Sequence, residues 1–342
     1  MTANGRADNK KKLLILADAG EKAGSGHMMR CRTIAGELEQ AGVLSDMELL
    51  GEKGADGWLF EGHDAASYGA VLLDSYLTSR SAMASLGKMT KLICMDDTLP
   101  YRYPADMVIN YNLYAPEMPY ADVYTDGEKL LLGSRYVPLR PAFRRQGETK
   151  ARFAGGSHIK RILLSTGGTD PVRAGDMMLE LIPEINRMFA AAGREIPEYI
   201  LLLGAFHPAA EELKEKASAI PGVRILQNVQ DMAGLITQCD LAVSAAGSTL
   251  WELCAMGVPV ITYVLADNQI RNSRAFSGKG LALYAGDARW KSEFEKGLTE
   301  AFRICVSMEP EELAGWSEKL GELSDGMGAA RIAQTLAKEY FS

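Results

Sequence analysis

The residues best suited to chemistry sit at the ends of short apolar runs. Gly24-Ser25-Gly26-His27-Met28-Met29-Arg30 follows the run Leu13–Ala17 and opens a stretch with helical spacing. Gly24 and Gly26 allow a sharp turn and a close approach of the backbone to a ligand. His27 then falls in the first helical turn, where the positive end of the dipole disfavours imidazolium. A neutral imidazole near pH 7 can take a proton, as a general base must; a histidine that caps or packs the helix is the other reading. Arg30 lies one turn on, as a ligand contact or as half of a surface salt bridge. The motif is not a dinucleotide fingerprint, since Met29 stands where the third glycine belongs. Nor is it a phosphate loop, since no G-K-[ST] follows.

Other runs end in similar fashion. Val71–Leu73 leads into Asp74-Ser75-Tyr76, where Tyr76 could bond a substrate and Asp74 could orient a neighbour. A capping Asp and a packed Tyr are the alternative. Asp96-Asp97 looks like a metal pair, but adjacent residues on extended chain point to opposite faces. The histidines at 27, 63, 158 and 207 share no ligand spacing, so neither a metal nor a cofactor is expected. Thr166-Gly167-Gly168-Thr169-Asp170 joins a strand to a helix, and free backbone N–H groups at such a turn can bind a diphosphate without lysine. Ser244-Ala245-Ala246-Gly247-Ser248-Thr249-Leu250-Trp251-Glu252 repeats the arrangement. Its small residues clear the approach, Ser248 and Thr249 can donate, and Glu252 can accept from both hydroxyls of a ribose or serve as a capping-box acid. Asp267-Asn268-Gln269 opens one more helix.

These motifs need strands that end at one edge and helices that start there. Leu13–Ala17, Val71–Leu73, Leu92–Met95, Met107–Asn110 and Lys129–Leu132 read as buried strands of a first half. Its first helix, over Gly26–Leu38, shows apolar Met29, Ile34 and Leu38 with Thr33. Arg161–Ser165, Tyr199–Leu203, Val223–Leu226, Leu241–Ser244 and Val260–Val264 read as strands of a second half. Its helices fall near Ala174–Ala192, Ala209–Ala219, Thr249–Met256, Gln269–Ser277 and Ser292–Val306. Continuous apolar strands alternating with helices predict parallel sheets covered on both faces. The fold class is therefore α/β. Residues 1–11 read as a polar, disordered lead-in, 12–150 as a first domain and 158–328 as a second. The last helix, 329–342, packs back on the first domain. Ligands of such sheets lie beyond the strand carboxyl ends, so a central cleft between the two halves is the expected site.

Composition narrows the function classes. The 342 residues carry 37 Lys+Arg and 44 Asp+Glu, a net charge of −7, which argues against a general nucleic-acid binder. No run approaches the roughly 18 apolar residues of a membrane helix, and the Leu13–Ala17 run is short for a secretory signal. A cytoplasmic chain follows as the expectation. The five cysteines form no C-x-x-C pair and read as reduced, buried thiols.

Taken together, the motifs resemble a known family. The second half is similar to the nucleotide-binding half of GT-B glycosyltransferases. The chain from about residue 13 to about residue 285 resembles the UDP-2,4-diacetamido-2,4,6-trideoxy-β-L-altropyranose hydrolases of pseudaminic acid biosynthesis. The matching motifs are G-x-G-H-x-x-R at Gly24–Arg30, D-x-Y at Asp74–Tyr76 and G-G-[ST]-D at Gly167–Asp170. The small-residue turn to Glu252 and the pair Asn268-Gln269 follow, and Asn110, Tyr114 and Leu131–Arg140 fit the middle segment. The resemblance implies a GT-B-like fold, two doubly wound Rossmann-like domains facing a central cleft. It implies His27 as general base, Tyr76 and Asn268 as sugar contacts and Glu252 as the ribose ligand. The implied reaction is metal-independent hydrolysis of a UDP-sugar. A transferase using a UDP-sugar donor, and a non-catalytic nucleotide-sugar binder, are the alternatives; His27 on its glycine-rich turn favours hydrolysis.

Overall fold

The computed structural model describes residues 12–18, 26–144, 153, 155–168, 170–204 and 207–342. Gly24, Thr169 and the lead-in 1–11 lie outside them, as do residues 145–152 and 154 of the segment between the halves. The chain forms two units. Unit 1 comprises Met1–Pro141 and Gly326–Ser342, and unit 2 comprises Ala142–Asp325.

Unit 1 runs β1 (Lys12–Asp18), α1 (Gly26–Gln40), β2 (Leu44–Leu50), α2 (Gly54–Phe60), β3 (Ala70–Asp74), α3 (Arg80–Met89), β4 (Lys91–Met95), β5 (Met107–Asn110), α4 (Tyr120–Val123) and β6 (Lys129–Leu132). The sheet is parallel, in the order β2-β1-β3-β4-β5-β6. Alternation along β1 explains its burial on both faces. Leu13, Ile15 and Ala17 join one core with Cys31, Ile34 and Leu38 of α1, while Leu14 and Leu16 join the other with Trp58, Met83 and Leu86. The buried face of α1 is His27, Cys31, Ile34 and Leu38. Met29, expected on that face, is exposed, because the helix is turned to bring His27 and Cys31 toward the sheet.

Unit 2 runs β7 (Arg161–Ser165), α5 (Ala174–Ala191), β8 (Glu198–Leu203), α6 (Ala210–Ser218), β9 (Val223–Gln227), α7 (Met232–Thr237), β10 (Leu241–Ala245), α8 (Ser248–Ala255), β11 (Val260–Val264), α9 (Ile270–Gly278), β12 (Leu283–Asp287), α10 (Lys291–Ser307) and α11 (Pro310–Glu322). Its parallel sheet has the order β12-β11-β10-β7-β8-β9. The chain then returns to unit 1 as α12 (Gly328–Tyr340), whose Ile332, Ala333 and Leu336 lie in the α1 core. A Cβ at Gly328 would stand 2.2 Å from the carbonyl oxygen of Val137, so only glycine lets the returning helix start this close.

Each sheet reverses its winding direction once near its middle. In unit 1 the chain steps from β1 outward to β2 and then back across to β3; in unit 2 the corresponding strands are β7, β8 and β10. Such switch points open a crevice at the strand carboxyl ends, where doubly wound folds bind ligands. His27 follows β1 and Asp74 ends β3. The Gly167 turn follows β7 and the Gly247 turn follows β10. Sequence motifs far apart are thereby brought to two crevices, one in each unit.

Candidate active site

The crevice of unit 1 is built around one buried carboxylate. Asp74, 1% exposed, accepts from Nδ1 of His27 at 2.7 Å and from Nε of Arg30 at 2.5 Å. Nη2 of Arg30 donates to Oδ1, the oxygen that also accepts from His27, and with Nε on Oδ2 it completes a bidentate pair; the Cys31 thiol lies 3.5 Å from Oδ2. Burial alone would raise the Asp74 carboxyl. The Arg30 charge and its hydrogen bonds, together with the bond from His27, outweigh that and hold it well below the ordinary carboxylate range. Burial opposes the Arg30 charge in turn, and the pairing with Asp74 overrides it, so the guanidinium stays protonated.

This arrangement decides the tautomer of His27. An ionised carboxylate only accepts, so the hydrogen between Asp74 and His27 belongs to Nδ1. In the neutral ring Nε2 then carries the lone pair, and the Asp–His pair has the orienting logic of a catalytic dyad. Nη2 of Arg30 also lies 3.3 Å from Nδ1. Both groups carry hydrogens, so that approach is proximity rather than a bond, and Asp74 is the common acceptor. His27 is buried, at 5% exposure, with the Tyr76 ring set edge-on at 4.7 Å.

A second group of bonds joins the other strand tips. Nη1 of Arg30 donates to the Tyr111 hydroxyl at 2.6 Å, and burial, with Asp97 adding to it, pushes that phenol up to about 12. Arg30 is therefore not a surface salt bridge: its guanidinium is spent on Asp74 and Tyr111. Tyr76 donates its hydroxyl to Asp97 and its backbone N–H to Asp18. Asp97 also accepts from Asn112, and the Tyr114 hydroxyl bonds its carbonyl. Asp96 turns away to Tyr103, Tyr120 and the amides of Thr98 and Leu99. No group of three or more His, Cys, Asp or Glu among the described residues is arranged to hold a metal ion. Asp18, Tyr111 and Asn112 were not singled out by motif. All three lie at the carboxyl end of a strand or within two residues of it, and the same strand-tip rule finds them.

In unit 2 the register sets Ser165 beside Ser244, so the turns after β7 and β10 leave the sheet side by side. Gly167 has φ +75°, which favours glycine, and the exposed Gly167 and Gly168 form the bend. A Cβ at Gly204 would lie 1.9 Å from the Gly168 carbonyl oxygen, so a glycine after β8 makes room for that turn. Asp170 is buried and fixes the start of α5 through the amides of Ala174 and Gly175. The second turn has Gly247 as the N-cap of α8, with no side-chain cap bond, so Glu252 is not a capping-box acid. Ser248 is exposed in the first turn of that helix, and Thr249 and Glu252 are partly exposed. Gln269 accepts from the Leu265 amide at 2.9 Å, with its amide nitrogen near Gly247, and Asn268 beside it is exposed. The nucleotide candidates of unit 2 thus gather at one edge, as His27, Arg30, Asp74 and Tyr76 do in unit 1, where Gly26 opens α1.

Comparison with known proteins agrees with this architecture. Residues 166–318 match the glycosyltransferase family 28 C-terminal domain. The spore coat polysaccharide biosynthesis protein SpsG of Bacillus subtilis (strain 168) is 25% identical over 95% of this chain and 98% of its own length. A Helicobacter pylori protein named pseudaminic acid cytidylyltransferase and UDP-2,4-diacetamido-2,4,6-trideoxy-beta-L-altropyranose hydrolase is 23% identical, over 80% of this chain and 48% of its own. Among solved structures, Acinetobacter baumannii MurG aligns with a TM-score of 0.61 at 14% identity, over 96% of this chain and 99% of its own. The spinosyn rhamnosyltransferase SpnG with thymidine diphosphate aligns with a TM-score of 0.60 at 12% identity, over 95% and 99%. No helix among the described residues is long and apolar enough to cross a membrane. Residues 166–318 of the second unit are thus similar to a family 28 C-terminal domain, and the two doubly wound sheets give the chain the GT-B fold of these structural neighbours.

Proposed function

We propose that the protein is an enzyme that hydrolyses a UDP-linked 2,4-diacetamido-2,4,6-trideoxy sugar to UDP and the free sugar, as a step of pseudaminic (nonulosonic) acid biosynthesis. The observation that carries this reading is the buried Arg30–Asp74–His27 set, which leaves Nε2 of His27 as a base. Unit 2 takes the nucleotide: amides of the Gly167–Gly168 turn and of Gly247–Ser248–Thr249 meet the diphosphate, and Glu252 takes the ribose. Tyr76, Asn268 and Gln269 meet the sugar. His27 removes a proton from water as it attacks the anomeric carbon. The anomeric C–O bond breaks with inversion, and UDP, a good leaving group, departs without a strong general acid. The named activity of the Helicobacter pylori relative supports the choice of sugar.

The test is to incubate the protein with a panel of UDP- and CMP-sugars and follow nucleotide and free sugar by NMR. In ¹⁸O-water the label is expected in the sugar and not in the nucleotide; label in UDP would place the cleavage at phosphorus and overturn the mechanism. The family 28 match favours one second reading, a transferase in which His27 deprotonates an acceptor alcohol. UDP release accelerated above the water rate by an added acceptor would establish it.

Two further results follow. Glu252→Ala should weaken UDP binding by about 5–150-fold, the equivalent of about 1–3 kcal/mol for lost hydrogen bonds to a charged group. Unchanged affinity in a folded variant would remove Glu252 from the ribose. Turnover should also survive EDTA, since Asp96 and Asp97 spend their oxygens on tyrosine hydroxyls, amides and Asn112. Loss restored by magnesium or manganese would point to a metal-dependent transferase.

A further inference from the structure

Tyr76 is half-exposed, at 51%, yet its hydroxyl proton is already committed, because it donates to Oδ2 of the buried Asp97. Both partners are fixed. Asn112 donates to Oδ1 of Asp97 at 2.7 Å, the Tyr114 hydroxyl bonds the Asp97 carbonyl at 2.7 Å, and Arg30 lies 3.9 Å from Oδ2. The Tyr76 backbone is tied to Asp18 at 2.7 Å, and its ring rests edge-to-face on His27. A phenol carries one proton and a carboxylate only accepts. What Tyr76 offers a ligand beside His27 is therefore its lone pairs alone. Among the described residues at these strand tips the charge is also one-sided, with Asp18, Asp74 and Asp97 beside Arg30.

We propose that Asp97 is a positioning residue that fixes Tyr76 as a hydrogen-bond acceptor, so that unit 1 selects a sugar presenting an N–H or O–H donor at the carbon next to the reacting centre. An acceptor-only substituent at that carbon is disfavoured, and so is an anionic sugar such as a hexuronate, which would meet the carboxylates. The inference rests on the reading that unit 1 holds the sugar of a nucleotide sugar. It goes further by naming the group that is read and the polarity with which it is read.

The experiment uses the full chain, three probes and two variants. Affinities of UDP-N-acetylglucosamine, UDP-glucose and UDP-2-deoxy-2-fluoroglucose are measured by calorimetry against UDP. The wild type should prefer the first two over the fluoro sugar by about tenfold or more, the scale of one hydrogen bond to a group that is otherwise unpaired. In Asp97→Asn the new amide keeps its oxygen toward Asn112 and turns its nitrogen on Tyr76, which frees the phenol proton to point outward. The preference should then shrink or reverse. Tyr76→Phe should abolish it, and Asp97→Asn should add nothing in the Tyr76→Phe background. A merely structural Asp97 would lower all affinities alike and leave the ratios unchanged. If the wild type discriminates and both variants keep its ratios, the inference falls while the functional reading stands. If the wild type binds no UDP-sugar more tightly than UDP, the sugar role of unit 1 fails and takes the inference with it.

Discussion

His27→Ala is expected to lower turnover by about 10²–10⁴-fold, the usual size of a general-base contribution. UDP affinity should stay close to that of the wild type, because the nucleotide candidates lie in unit 2. The side chain is not a free cleft residue: it is buried and bonded to Asp74 at 2.7 Å. Its removal takes a hydrogen bond from a buried carboxylate and should cost about 1–3 kcal/mol of stability. Arg30 remains as the partner of Asp74, so the variant should fold, which a thermal melt will check before kinetics. Retention of more than about a tenth of the wild-type rate would make His27 structural, and the base would then be sought among the other carboxylates of the crevice.

Asp74→Asn probes the same arrangement from the other side, and its effect should be nearly as large. An amide can present its nitrogen to Nδ1, which moves the ring hydrogen to Nε2 and leaves no lone pair where the base needs one. In a serine protease the corresponding change costs about 10⁴ in turnover, and a loss of about 10³–10⁴ is expected here. The variant also leaves the buried Arg30 without its counter-charge, a change typically worth about 3–5 kcal/mol. The acid-stability curve supplies an independent readout. Because the folded Asp74 is held below its ordinary range, its contribution is complete above that range and fades only as the pH falls through the depressed value. The wild type therefore loses this increment below about pH 4, and Asp74→Asn should lack that part of the curve. Wild-type turnover with an unchanged acid transition would refute both claims.

The fold was legible wherever a strand is buried on both faces. Leu13–Ala17, Val71–Leu73 and Val260–Val264 are unbroken apolar runs, and each is a strand. β2 escapes this rule because Asp46 and Glu48 interrupt its apolar residues, and Leu44 and Leu49 face outward. The face of α1 was misjudged for a related reason. Polar His27 and Cys31 sit on its buried side since Asp74 waits there, and hydrophobic spacing does not register such a partner. His27 and Asp74 were legible from the rule that sites gather at strand tips. The bond from Arg30 to Tyr111 was not, because it joins residues 81 positions apart through a strand order that only the folded sheet reveals. Asp97 appeared in the sequence as half of an acidic pair, and its bond to Tyr76 depends on a side-chain direction that spacing leaves open.

The return of α12 to unit 1 bears on how the chain is made. A ribosome delivers β1 to β6 first, yet the surface that α12 covers stays bare until all of unit 2 has followed. Through that interval Ile34, Leu38 and their neighbours lack Ile332, Ala333 and Leu336, so the first-made sheet waits in a sticky, half-dressed state. Domains ordinarily fold as units in order of synthesis. Here unit 2 can close while unit 1 is still incomplete, so vectorial synthesis favours unit 2 maturing before unit 1. Nascent chains stalled just before Gly328 should therefore engage chaperones through unit 1, and should shed them once the last helix emerges.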